Sequence, residues 1–142
     1  MTLHVTPSPK LKIVPDTTFY IAAILKNGYA RSYLLGKGTK FLTYELFTSE
    51  AILLEFQEKL ESDKFGYERE EAANLISQIR AVTVVVYPKY KVSVVRDPND
   101  DKILECALEA KAEIILLLDK DLLSLKDYKG IKIIHPSMLQ YM

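Results

Sequence analysis

The 142-residue chain predicts an α/β domain built on a central, mainly parallel sheet with helices on both faces. Three observations predict it. Short apolar or β-branched runs (KLKIVP at 10–15, VTVVVY, IILLL at 114–118 and IKII at 131–134) alternate with longer amphipathic stretches, the pattern of strand–helix–strand units. VTVVVY and IILLL are apolar almost throughout, as strands covered on both faces are. The best-marked helix start in the chain, RDPNDDKILECALEAKA, stands between those two runs, where a crossover between parallel strands needs a helix.

Each element has a local cause. Residues 1–9 carry two prolines and little pattern and read as a loose leader; residues 10–142 read as a single domain. KLKIVP is a strand that Asp16 terminates, with Pro15 awkward because proline gives up a ladder hydrogen bond. TTFYIAAILKNG reads as a helix stopped by Asn27-Gly28, and a second short helix, 30–36, is closed by Gly36 and Gly38. TKFLTYELFT alternates as a strand over 40–46. Ser49 caps a helix over 50–61, and Glu68 to Glu71 open another over 68–80 with Ala72, Leu75, Ile76 and Ile79 on one face. VTVVVY is a strand by composition. Asp97 suits an N-cap and Pro98 the first helical position. IILLL is a buried strand, Leu122 to Leu125 a short turn of helix, IKII a last strand, and Pro136 begins a terminal helix.

Composition excludes several classes. Hydrophobic residues are 49% and charged residues 27%, a globular balance that sets aside disorder. The longest apolar runs are far too short to span a bilayer, and the N-terminus lacks a secretory pattern. With one cysteine, Cys106, there is no internal disulfide, which points to the cytoplasm; Cys106 reads as core packing. Net charge is zero, so a nucleic-acid partner would be held by a local patch and not by the global field.

Four acids, Asp16, Glu55, Asp100 and Asp119, each stand where an apolar run or stripe begins or ends. Burying an unpaired charge costs several kcal/mol, so such edges are unusual places for carboxylates. In a parallel sheet Asp16 and Asp119 follow strands directly, and Asp100 lies in the first turn of a crossover helix, so all three belong to the carboxyl edge, where such folds bind ligands. Asp100 shares a helical face with Ile103, Leu104 and Ala107, whereas Asp101 lies off that stripe's centre, nearer Leu108, and is the less expected of the pair to face inward. Glu55 lies at the margin of its helix's apolar face. Taken singly these are ordinary caps or surface charges. Two carboxylates ~5 Å apart at an effective dielectric near 20 repel by about 3 kcal/mol, so four together require a cation. Oxygen-only ligands favour Mg²⁺ or Mn²⁺, and neither histidine is placed to recruit a softer metal: His4 is in the leader, and His135, before a proline, suits a turn or cap.

Other chemistries lack their residues. Gly36-Lys37-Gly38-Thr39 has neither the spacing nor the preceding strand of a phosphate loop, and no G-x-S-x-G elbow occurs. Asp119-x-Asp121 resembles a phosphotransfer motif but follows a late strand instead of the first. A receiver-type domain would need a better-placed lysine than Lys120 or Lys126.

The motifs VPDTTFYIAAILKNG, TSEAILLEFQEKLESDKF, RDPNDDKILECALEAKAEIILLLDKDLLSL and IKIIHPSML, in that order, resemble those of the PIN-domain nucleases. The likeness is to the branch of toxin components of toxin–antitoxin pairs and covers about 11 to 142. The resemblance implies a three-layer α/β/α sandwich and a metal-dependent endoribonuclease. It implies a catalytic quartet of Asp16, Glu55, Asp100 and Asp119, with Asp16, Asp100 and Asp119 holding Mg²⁺ or Mn²⁺. Asp97, Asp101, Asp121 and Thr18 would be accessory. An RNA substrate, a cognate antitoxin and a homodimer are implied in the same way. Three departures stand out: Thr18 replaces an amide, Pro15 an aliphatic residue, and Leu117-Leu118 a hydroxyl–glycine pair. They motivate an alternative, a PIN-like RNA- or antitoxin-binding module with impaired catalysis.

Overall fold

The computed structural model describes residues 10–36, 43–92, 98–118 and 127–141, with backbone alone at 98–100, 127 and 140. A six-stranded sheet runs through it. In chain order the elements are β1 (Leu11–Pro15), α1 (Thr17–Leu25), α2 (Tyr29–Leu34), β2 (Tyr44–Ser49), α3 (Glu50–Glu61), α4 (Arg69–Val82), β3 (Val84–Val86), α5 (Pro98–Ala110), β4 (Ile114–Leu116), β5 (Asp127–Tyr128) and β6 (Ile131–Ile134), with a closing 3₁₀ helix, Pro136–Tyr141. The strand order is β3-β2-β1-β4-β6-β5. All pairs are parallel except β5 with β6.

This order explains the layers. From β1 the chain steps outward to β2 and then β3, then returns across both to β4. Right-handed crossovers therefore put α1 to α4 on one face and α5 on the other. The central strands β1 and β4 are covered on both sides, with Ile13, Val14, Ile114, Ile115 and Leu116 all buried, whereas β3, apolar in sequence, lies at the sheet edge and stays partly exposed, Val84 at 39%. Phe19 and Tyr20 of α1 and Ile52, Leu53 and Phe56 of α3 are buried with them, as are Leu104 and Ala107 of α5. The Tyr20 and Phe56 rings stack with centroids 5.5 Å apart, 13° from parallel. None of the described helices is long and apolar enough to cross a membrane.

Several expectations change. The second strand is 44–49, later than 40–46, and runs straight into α3 at Ser49, whose Oγ accepts from the Ile52 N–H at 3.3 Å. The last helix is a 3₁₀ turn, opened as foreseen by His135: the Ser137 N–H donates to its Nδ1 at 3.1 Å. The β5–β6 hairpin was not foreseen. Lys129 and Gly130, at φ 50° and 82°, form its two-residue turn, which needs positive φ at both positions. Pro15 proves cheap. Leu11 N–H bonds toward β2 and Asp16 N–H toward β4 (Leu116 O, 2.9 Å), so the N–H that Pro15 lacks would point toward β2, whose pairing with β1 ends at Ile13. The leader at 1–9 and the helical turn at Leu122 to Leu125 lie outside the described residues.

Candidate active site at the carboxyl edge of the sheet

Asp16 is the first residue beyond β1, a central strand, and the N-cap of α1. It is 7% exposed. Its Oδ1 accepts from the Phe19 N–H at 3.1 Å and from the Thr18 hydroxyl at 2.6 Å. A helix N-terminus favours a carboxylate, so one short segment both starts the helix and fixes an acid at the sheet edge. The Thr18 oxygen also accepts from the Leu118 N–H at 3.2 Å. Thr18 thus ties Asp16 to the chain leaving β4, one residue before Asp119. The departure at Thr18 therefore retains a structural link between two acid-bearing segments. Thr18→Val should break it, lowering stability by about 1–2 kcal/mol, read as a denaturant midpoint shift, while Thr18→Ser should keep most of it.

Glu55, 9% exposed, faces inward from α3. Lys59, one turn on, brings its ammonium to 3.4 Å from Glu55 Oε1 and donates to Thr17 Oγ1 at 3.0 Å. A single lysine therefore links Glu55 to the residue beside Asp16. Lys59 was not among the residues singled out from sequence. Its only signal there is an i,i+4 Glu–Lys spacing, which is ordinary on exposed helices.

Asp101, the less expected of the pair to face inward, is 8% exposed. The buried part of α5 is wider than one stripe: Asp101, Ile103, Leu104, Cys106, Ala107 and Ala110 are all buried, because the helix lies across β1 and β2 and also meets α3. Asp100 sits in the first turn of α5 by its backbone. Asp97, Asp119 and Asp121, and the side chain of Asp100, lie outside the described residues. Among the described residues no group of three or more His, Cys, Asp and Glu side chains is placed to hold a metal ion. The buried acids here offer oxygen alone, a donor chemistry that fits a hard divalent cation.

Cys106 is fully buried, and burial pushes its thiol up from 9.0 to about 12, with a hydrogen bond from the Ser49 side chain pulling partly the other way. The protonated thiol is the form the fold favours. Its contribution to stability is complete below about pH 9 and is lost as the pH climbs toward 12, by up to about 1.4 kcal/mol per unit. Native protein should resist a thiol reagent at pH 8 and react at the rate of global unfolding. Rapid stoichiometric labelling of folded protein would contradict this.

A sequence model of the family described as PIN domain matches residues 12–121. The chain is 36% identical over 124 residues to Uncharacterized protein MJ1680 of Methanocaldococcus jannaschii, covering 83% of this chain and 77% of that protein. Among solved structures it is similar to VapBC-1 from nontypeable Haemophilus influenzae, with a TM-score of 0.60 at 14% identity over 89% of this chain and 99% of the other. It is also similar to Mycobacterium tuberculosis VapC20, described as a sarcin–ricin-loop-cleaving toxin, with a TM-score of 0.52 at 17% identity over 84% and 98%.

Proposed function

Because the chain belongs to the PIN domain family, we propose that it is a metal-dependent endoribonuclease and the toxin of a toxin–antitoxin pair, acting in the cytoplasm as a homodimer. One observation carries the reading: Asp16 is buried at the end of a central strand, and Glu55 is drawn to the same helix N-terminus through Lys59 and Thr17. RNA as substrate is supported by the likeness to VapC20, described as cleaving the sarcin–ricin loop.

In this reading Asp16, Asp100 and Asp119 hold Mg²⁺ or Mn²⁺, and Glu55 completes the catalytic quartet, with Asp97, Asp101 and Asp121 near it. The bound ion supplies activation of a water and offsets charge on the leaving oxygen. The chain's own groups do the rest. Thr18 fixes the Asp16 carboxylate against rotation. Lys59 holds Glu55 and carries a positive charge suited to a phosphate oxygen. The proposal is tested by incubating purified protein with structured RNA, with Mg²⁺ or Mn²⁺ and with chelator. Cleavage that chelator leaves unchanged would count against it.

Lys59 also motivates the alternative, a binding module with impaired catalysis, because a side-chain cation already compensates Glu55. The two readings differ at Lys59→Met. If a divalent ion and the ammonium share the same acidic surroundings, removing the ammonium should tighten Mn²⁺ binding about fivefold, measured by calorimetric titration. An impaired module shows no Mn²⁺ site in either protein.

A further inference from the structure

Beyond β3 the segment Tyr87-Pro88-Lys89-Tyr90-Lys91 alternates aromatic and cationic side chains. All five residues are exposed, Tyr87 at 69% and Tyr90 at 81%. The backbone beneath them is nevertheless held. The Lys89 N–H donates to Glu109 Oε1 at 2.9 Å and the Val92 N–H to Glu105 Oε2 at 2.8 Å. These two glutamates, one turn apart on α5, are half-buried and engaged with main chain, whereas both lysines reach water.

The sheet register places this segment relative to the acids. Ile13 pairs with Leu46, so Asp16 falls level with Ser49, and Ser49 pairs with Val86. Tyr87 therefore leaves the sheet at the same edge as Asp16, two strands away. At the usual strand spacing that is about 10 Å, roughly three stacked nucleotides of a single strand.

We propose that Tyr87, Lys89, Tyr90 and Lys91 form a platform on which bases of single-stranded RNA stack, with the lysines on the phosphates, leading the strand toward the acidic edge. The proposal rests on the ribonuclease reading for its direction, not for its chemistry. Stacking on exposed rings needs bases freed from a duplex, which selects single strands. A second copy of this chain is a poorer occupant, because a two-fold contact through this segment would gather the like charges of Lys89 and Lys91 from both copies into one interface.

The test uses the full chain carrying Asp16→Asn, which keeps a capping side chain and blocks turnover, with a fluorescently labelled unstructured RNA of about 12 nucleotides, read by anisotropy. Tyr87→Ala with Tyr90→Ala should weaken binding about tenfold or more, and Tyr87→Phe with Tyr90→Phe should stay within about twofold. Lys89→Gln with Lys91→Gln should reduce the log–log salt slope by about 1.4. Unchanged affinity in the alanine pair, equal affinity for a duplex of the same sequence, or loss of a dimer in the alanine pair would each overturn the platform. Because binding is read without cleavage, the outcomes separate. Tyrosine-dependent binding with no metal-dependent cleavage by the unmodified chain leaves the platform standing and removes the nuclease. The reverse pattern removes the platform alone.

Discussion

Asp16→Ala is expected to reduce RNA cleavage by about a thousandfold, roughly 4 kcal/mol of lost transition-state stabilisation, and also to destabilise the fold. The second effect has a separate cause. The same carboxylate caps α1 through the Phe19 N–H and receives the Thr18 hydroxyl, and loss of a capping side chain costs about 1 kcal/mol. Asp16→Asn separates the two effects: asparagine caps nearly as well as aspartate but brings no negative charge to a cation. It should unfold near the parent's denaturant midpoint and cleave as poorly as the alanine variant. An asparagine variant that retained activity would place the chemistry elsewhere.

Phe56→Ala should cost about 4 kcal/mol of stability, lowering the melting temperature by about 10 °C or more. Phe56 is fully buried, stacks on Tyr20 of α1, and precedes Glu55's pairing partner Lys59 on the same helix. Burial, partly offset by the Thr48 hydroxyl and reinforced by the charge of Asp16, pushes the Tyr20 phenol above its ordinary range, and both rings belong to the buried core. Truncation leaves a ring-sized void between α1 and α3, the two helices that carry Asp16 and Glu55. Phe56→Leu should recover most of the loss. A shift of only a degree or two for the alanine variant, by calorimetry, would mean the helices are not packed as described.

Much of the fold was legible because its signals are local. Ser49, the Glu68–Glu71 pair and Pro98 mark helix starts by hydrogen-bond chemistry that needs no tertiary context, and the structure starts α3, α4 and α5 there, with the Glu68 N–H donating to Glu71 Oε1 at 3.0 Å. The onset of β2 was misread because alternation extends through TKFLTYELFT without a break, while the pairing partners that set its register lie in β1 and β3. A two-residue strand such as β5 carries no periodicity at all, and Lys129-Gly130 was its only sign. The burial of Asp101 was hard to read for a different reason. A single-stripe reading assumes one packing partner, and α5 has the sheet on one side and α3 at its margin. Lys59 was missed because its role depends on Thr17, which is 42 positions away in sequence.

In the proposed function, side chains from separate segments make one site for a hard cation at the carboxyl edge of the sheet. Crystals soaked in Mn²⁺ and measured at the manganese absorption edge test it most directly. One strong anomalous peak is expected within about 2.2 Å of the Asp16 carboxylate, in reach of Asp100 and Asp119, and absent from Asp16→Asn crystals. A peak bound elsewhere, or none at saturating Mn²⁺, would contradict it.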